Sequence, residues 1–135
     1  MTDRLAVYGT LRPGGRAYAA FGLATRTRHL GPCHIPGRIV DLGGYPGLLP
    51  GGGRVAGDLL ELVDAALVGE LDAYEGPDYR RGEIILIEPA VTALVWHWHG
   101  QIDGAAPVPG NDWTRRAGGE IDPLADAAAR CPSTR

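Results

Sequence analysis

Apolar and polar positions alternate along this chain in short bursts, not in long helical stripes. Residues 4–8 read as a first strand. Residues 34–41 read as another, bent at Gly37. Leu48 and Leu49, between glycine-rich turns at 43–47 and 51–53, leave room for a very short strand. Residues 55–62 form a better one, with Val55, Gly57, Leu59 and Glu61 on one face. Helical spacing is clear only over residues 64–75, where Leu67, Val68, Leu71 and Tyr74 recur behind an Asp64 N-cap. Gly76-Pro77 ends that helix. Residues 16–23 are a weak helix or an irregular segment, and 123–130 a weak last helix. Strands at 79–88 and 91–99 are joined through Pro89. Their run Ile84-Ile85-Leu86-Ile87 reads as a strand buried on both sides.

Five or six short strands with one good helix predict an α+β domain. Its sheet is small, curled or closed into a barrel, and mostly antiparallel. One domain over residues 1–122 followed by a tail at 123–135 accounts for the 135 residues. The net charge of −3 gives no basic footprint for nucleic acid. No apolar run is long enough for a bilayer, and no basic-then-apolar leader opens the chain, so a cytoplasmic location is expected. Two cysteines, Cys33 and Cys131, make no disulfide framework. Cys33 reads as a small packed side chain. All thirteen basic residues are arginine, which removes Schiff-base chemistry and a P-loop lysine. The one serine, Ser133, lies two residues from the end, which removes a serine triad. Enzyme chemistry here falls to carboxylates, histidines, tyrosines and backbone groups.

Four constellations could carry it. The turn after the first strand, Tyr8-Gly9-Thr10-Leu11, is a plain turn or a set of N–H groups able to hold a carboxylate. Glu75 stands in the last turn of the helix, at the negative end of its dipole, with Asp72 three residues earlier. Both raise its pKa and suit it to general acid/base work; the alternative is an exposed acid paired with Arg80 or Arg81. His97 and His99 share one strand face, with Trp96 and Trp98 on the other. A zinc site needs further ligands that no pattern supplies, so an inward aromatic face is the better reading and no metal is assigned. Residues 110–113, GNDW, read as packing.

Together these pieces resemble the γ-glutamylcyclotransferase-like superfamily, whose plant members are called AIG2-like proteins. The order is YGTLRPGG, then DLGGYPGL at 41–48, G-x-L-x-E-L at 57–62, and LDAYEG followed by YRR. The resemblance covers about residues 4–113, and YGTL places it nearer the γ-glutamylamine cyclotransferase branch. It implies a small barrel-like fold with a cavity at one end. It also implies a transferase-type reaction in which the substrate's α-amine attacks its own γ-carbonyl, giving 5-oxoproline and a released amine. Glu75 would be the acid/base, and Tyr8, Gly9, Thr10 and Leu11 would bind the glutamyl end. Tyr79 and Arg80 or Arg81 match a Tyr-Arg feature near the family's site, as substrate contacts or as an ion pair that orients Glu75, while Tyr45 and Pro46 either line the pocket rim or are plain turn structure. No cofactor is needed, and the expected partner is a small molecule. A non-catalytic protein binding a γ-glutamyl-like ligand in the same fold is the alternative. Oligomeric state has no signature in the sequence.

Overall fold

The computed structural model describes residues 2–115. Its centre is β1 (Arg4–Val7), whose residues alternate between two apolar layers. Leu5 and Val7 point to one layer, Ala6 and, just past the strand, Tyr8 to the other. Around it lie β2 (Thr27–Asp41), β3 (Pro46–Leu62), β4 (Tyr79–Ile85), β5 (Thr92–Trp98) and β6 (Ala106–Pro107). They form one six-stranded sheet in the order β4-β5-β1-β3-β2-β6. β1 runs parallel to β5; the other pairings are antiparallel. The expected curled, mostly antiparallel α+β architecture is the one found.

One layer fills the inside of the curl with Ile35, Ile39, Leu48, Val55, Leu86, Val95 and Trp113. The opposite face is covered by three helices, α1 (Arg16–Ala20), α2 (Leu23–Arg26) and α3 (Leu67–Glu75). Leu23, Leu67, Val68 and Leu71 from these pack on Leu5, Val7, Leu60 and Leu94. With both faces covered, four consecutive residues are buried, Leu5 to Val7 of β1 and Tyr8 just past it.

Three elements depart from the sequence reading. The expected separate strands at 34–41, 48–49 and 55–62 merge into one long β2–β3 hairpin. The glycines at 51–53 are an excursion within it: Pro36 pairs with Arg54 and Arg38 with Leu49, leaving Gly37 opposite four residues. Gly37 has φ +135°, and a Cβ there would lie 2.5 Å from the Leu49 carbonyl oxygen. Only glycine permits so close a backbone approach.

The main helix starts at Leu67 instead of 64, with Ala66 at its N-cap. The Asp64 carboxylate accepts the Ala66 N–H at 3.0 Å and is held by Arg26 at 2.9 Å, which makes a turn ahead of the helix.

The run 84–87 is not buried on both sides. β4 is an edge strand, with Ile85 68% exposed and Ile87 36%, while Leu86 turns into the core. Beyond β4 the chain crosses to β2: His34 N–H donates to Glu88 O at 2.8 Å and Ile87 N–H to His34 O at 2.9 Å. That bridge draws the sheet towards a half-barrel. The tail at 123–135, its weak helix at 123–130 and Cys131 lie outside the described residues.

Candidate active site

A cleft opens at the carboxyl end of β1, where the two apolar layers meet. The empty space between its walls, its open mouth included, is about 400 Å³. The chain from Ala6 to Leu11 forms one wall and Tyr74 and Glu75 of α3 another; Tyr45, Pro46, Tyr79 and Trp96 complete it. Glu75 is the only carboxylate among these lining residues, and no lining side chain is basic.

The YGTL loop is a β-turn in which Arg12 N–H donates to Gly9 O at 3.0 Å. Residues 9–11 contain no left-handed backbone, so the turn is not built by alternating handedness. The Thr10 carbonyl accepts from both Ala17 and Tyr18 N–H at 3.1 Å, which fastens the start of α1 to the loop. These bonds use the loop's carbonyls and leave the amides of Gly9, Thr10 and Leu11 out. Arg12 clasps the loop from behind, reaching Asp58 at 2.7 Å and Asp112 at 3.2 Å. His29 shares Asp58 at 2.9 Å.

Hydrogen bonds fix the cleft's aromatic walls. Tyr8 Oη donates to Trp96 O at 2.7 Å, tying the end of β1 to β5. Tyr79 Oη donates to Pro46 O at 2.6 Å. Trp96 Nε1 donates to Asp72 Oδ1 at 2.8 Å, which docks α3 on β5 one turn before Glu75. The rings of Tyr45 and Tyr79 both meet Trp98 edge-on.

The family follows from most of the chain. Residues 5–115 match the family model described as gamma-glutamyl cyclotransferase, AIG2-like. The chain belongs to this family. Gamma-glutamylcyclotransferase family protein YtfP of Escherichia coli K12 is 32% identical to this AIG2-like chain, covering 84% of it and 97% of YtfP. Gamma-L-glutamyl-butirosin B gamma-glutamyl cyclotransferase of Niallia circulans is 35% identical, over 81% of this chain and 74% of that one. The fold is shared with an AIG2-like protein from Mus musculus at TM-score 0.68 and 22% identity, covering 90% and 95% of the two chains.

In this AIG2-like chain, the predicted residues Tyr8, Gly9, Thr10, Leu11, Tyr45, Pro46, Glu75 and Tyr79 all line the one cleft. Arg80 and Arg81 do not. Arg80 faces His97 across the β4–β5 register, and Arg81 reaches Asp72 at 3.5 Å. Tyr74 and Trp96 line the cleft too, although the sequence reading gave them only packing roles. Tyr74's position beside Glu75 was the available signal; for Trp96 the sequence holds none.

The remaining candidates lie elsewhere. Cys33 is buried, which pushes its thiol up to about 12; the nearby Asp58 adds to that and Arg12 opposes it. Trp113 is fully buried, and Asn111 Oδ1 accepts the Ile39 N–H at 3.2 Å, so the GNDW segment is packing. Among the described residues, no helix is long and apolar enough to cross a membrane.

Proposed function

We propose that this protein cleaves a γ-glutamyl amide by intramolecular cyclisation. The substrate's α-nitrogen forms a bond to its γ-carbonyl carbon, the amide C–N bond breaks, and 5-oxoproline and an amine leave. Glu75 takes a proton from the α-ammonium and returns one to the departing nitrogen. The amides of Gly9, Thr10 and Leu11 hold the glutamyl carboxylate and steady the charge that develops on the carbonyl oxygen. The attacking group belongs to the substrate, so the protein supplies no nucleophile. Its main contribution is to hold the two ends together, which in well-oriented systems is worth about 7–11 kcal/mol.

The observation that carries this reading is the meeting of Glu75 and residues Gly9–Leu11 in one cleft. Family membership supports the reaction class, and the butirosin relative is named for the same type of bond. The test is 5-oxoproline release from a panel of γ-glutamyl amines and γ-glutamyl amino acids, with Glu75→Gln beside the wild type. The expected result is release by the wild type and a drop of about 10²- to 10⁴-fold in a folded Glu75→Gln protein. Near-wild-type turnover by that variant would remove Glu75 from its role. Absence of release, with thermal stabilisation by the same compounds, would make this a binding protein.

A further inference from the structure

Arg16 opens α1, directly behind the YGTL loop, and only 7% of it is exposed. Its one hydrogen bond runs from NH1 to the Tyr74 phenol oxygen at 3.2 Å, on the cleft wall beside Glu75. Its Nε and NH2 are buried and meet no acceptor. No carboxylate among the described residues forms an ion pair with it. A lysine so placed could lose its proton; a guanidinium cannot. A permanent cation is therefore held out of water without a counter-ion, an arrangement that destabilises a fold unless something else compensates.

Its position says what would compensate. The Gly15 Cα lies so close to the loop that a Cβ there would stand 2.2 Å from the Thr10 carbonyl oxygen. Arg16 follows immediately, at the start of the helix that the Thr10 carbonyl fastens to the cleft-lining loop. None of the lining side chains is basic, and the one acid, Glu75, works against an anionic ligand. Arg16 does not itself line the cleft and touches its wall through Tyr74, and a fixed cation in a low-dielectric wall acts strongly. A phenol that accepts from a guanidinium is also a polarised donor through its own O–H.

We propose that Arg16 is a specificity-determining residue that selects ligands bearing a carboxylate next to the Gly9–Leu11 amides. This rests on the cyclotransferase reading of the cleft and adds to it a side chain outside the YGTL motif. Arg16 answers the ligand's charge; Glu75 handles the proton.

The experiment compares binding of 5-oxoproline and of its primary amide to wild type, Arg16→Met and Arg16→Lys, with the substrate panel run on the same proteins. The wild type should bind the acid about ten- to a hundredfold more tightly than the amide. Arg16→Met should bind both alike, and Arg16→Lys should recover part of the preference. With a γ-glutamyl amide as substrate, Arg16→Met should raise KM by a similar factor and leave kcat nearly unchanged. Its Tm without ligand should equal or exceed that of the wild type, because a buried unpaired charge has gone; a purely structural arginine would give a lower Tm. Should the methionine variant fail to fold, Arg16→Gln gives the same comparison. An acid preference that survives in Arg16→Met overturns this proposal, even where the wild type turns over its substrates. A wild type that neither releases 5-oxoproline nor binds either probe overturns the cyclotransferase reading together with it.

Discussion

Tyr79 of β4 donates its phenol proton to the carbonyl oxygen of Pro46, the first residue of β3, at 2.6 Å. β4 and β3 are not neighbours in the sheet, so this bond spans the cleft end of the fold without help from the ladder. Both residues are buried, and removing the donor strands a carbonyl away from water. Tyr79→Phe should therefore cost about 1–3 kcal/mol in urea unfolding. It should also raise KM for any ligand of the cleft, since the Pro46 wall loses its tie. A loss below about 0.5 kcal/mol would mean the bond is replaced by water and leaves the wall where it was.

Pro46 also explains Gly9. The backbone of Gly9 is not left-handed, so conformational freedom is not what the position needs. A Cβ there would stand 2.6 Å from Cγ of Pro46 and 3.0 Å from its Cδ, and a proline ring has little room to yield. Gly9→Ala should push the loop and the Pro46 wall apart. The expected cost is about 1–3 kcal/mol of stability, with ligand-induced thermal stabilisation lost. Pairing it with Pro46→Ala tests the cause. The double variant should recover much of the stability that Gly9→Ala alone loses, whereas simple addition of the two effects would show that the clash lies elsewhere.

The same pair shows how far the sequence could be read. YGTL, the GYPG turn and LDAYEG are widely separated, yet all reach one cleft, because β1, the start of β3 and the end of α3 meet at the carboxyl end of the central strand. Those segments carry recognisable residue types and were legible. Gly9 read as part of a turn, because nothing along the chain announces that a proline 37 positions later packs on it. The glycines at 51–53 misled for a related reason. Glycine marks turns and close backbone approach equally, and only the pairing opposite Gly37 distinguishes them. Asp64 looked like a helix cap, but Arg26, 38 residues earlier, draws its carboxylate away. Arg16 read as one polar position in a weak helix; its burial comes from the loop and α3, which local pattern cannot show.

Asp72 is predicted to position α3 more by hydrogen bonding than by charge. It accepts from the Trp96 indole at 2.8 Å, and its other oxygen meets Arg81 at 3.5 Å near the surface. A half-exposed ion pair of that length contributes about 0–1 kcal/mol. The indole bond is more sheltered, and its loss strands a donor on the cleft's Trp96 wall. Asp72→Asn keeps an acceptor oxygen and should change stability by less than about 1 kcal/mol. Asp72→Ala removes it and should cost about 1–3 kcal/mol, with kcat falling as Glu75 loses its fixed bearing on β5. Equal losses in the two variants would assign the effect to the Arg81 pair instead. Raising salt separates them further, since only the ion pair is screened.

Stability should fall in two steps as the solution is acidified. His97 is held below the ordinary histidine value, first by burial and then by the nearby His99. The folded protein thus resists a proton that the unfolded chain accepts near pH 6.5. The contribution of neutral His97 is complete above about pH 6.5 and declines as pH falls through the lower folded value. Asp112 behaves as a depressed carboxylate. Burial alone would raise it, but the Thr114 hydroxyl and amide and the Arg12 guanidinium outweigh that and hold it below the usual range. Its contribution is complete above the unfolded value of about 3.9 and is lost as pH falls through the folded one. Urea midpoints measured from pH 8 to pH 3 should show a shallow first decline that His97→Gln flattens. The second, deeper decline should be smaller in Asp112→Asn, which starts from a lower stability at neutral pH because Arg12 has lost one of its two carboxylates. A first decline of unchanged size in His97→Gln would assign that step to another group, and a second of unchanged size in Asp112→Asn would show that the Arg12 clasp does not govern acid unfolding.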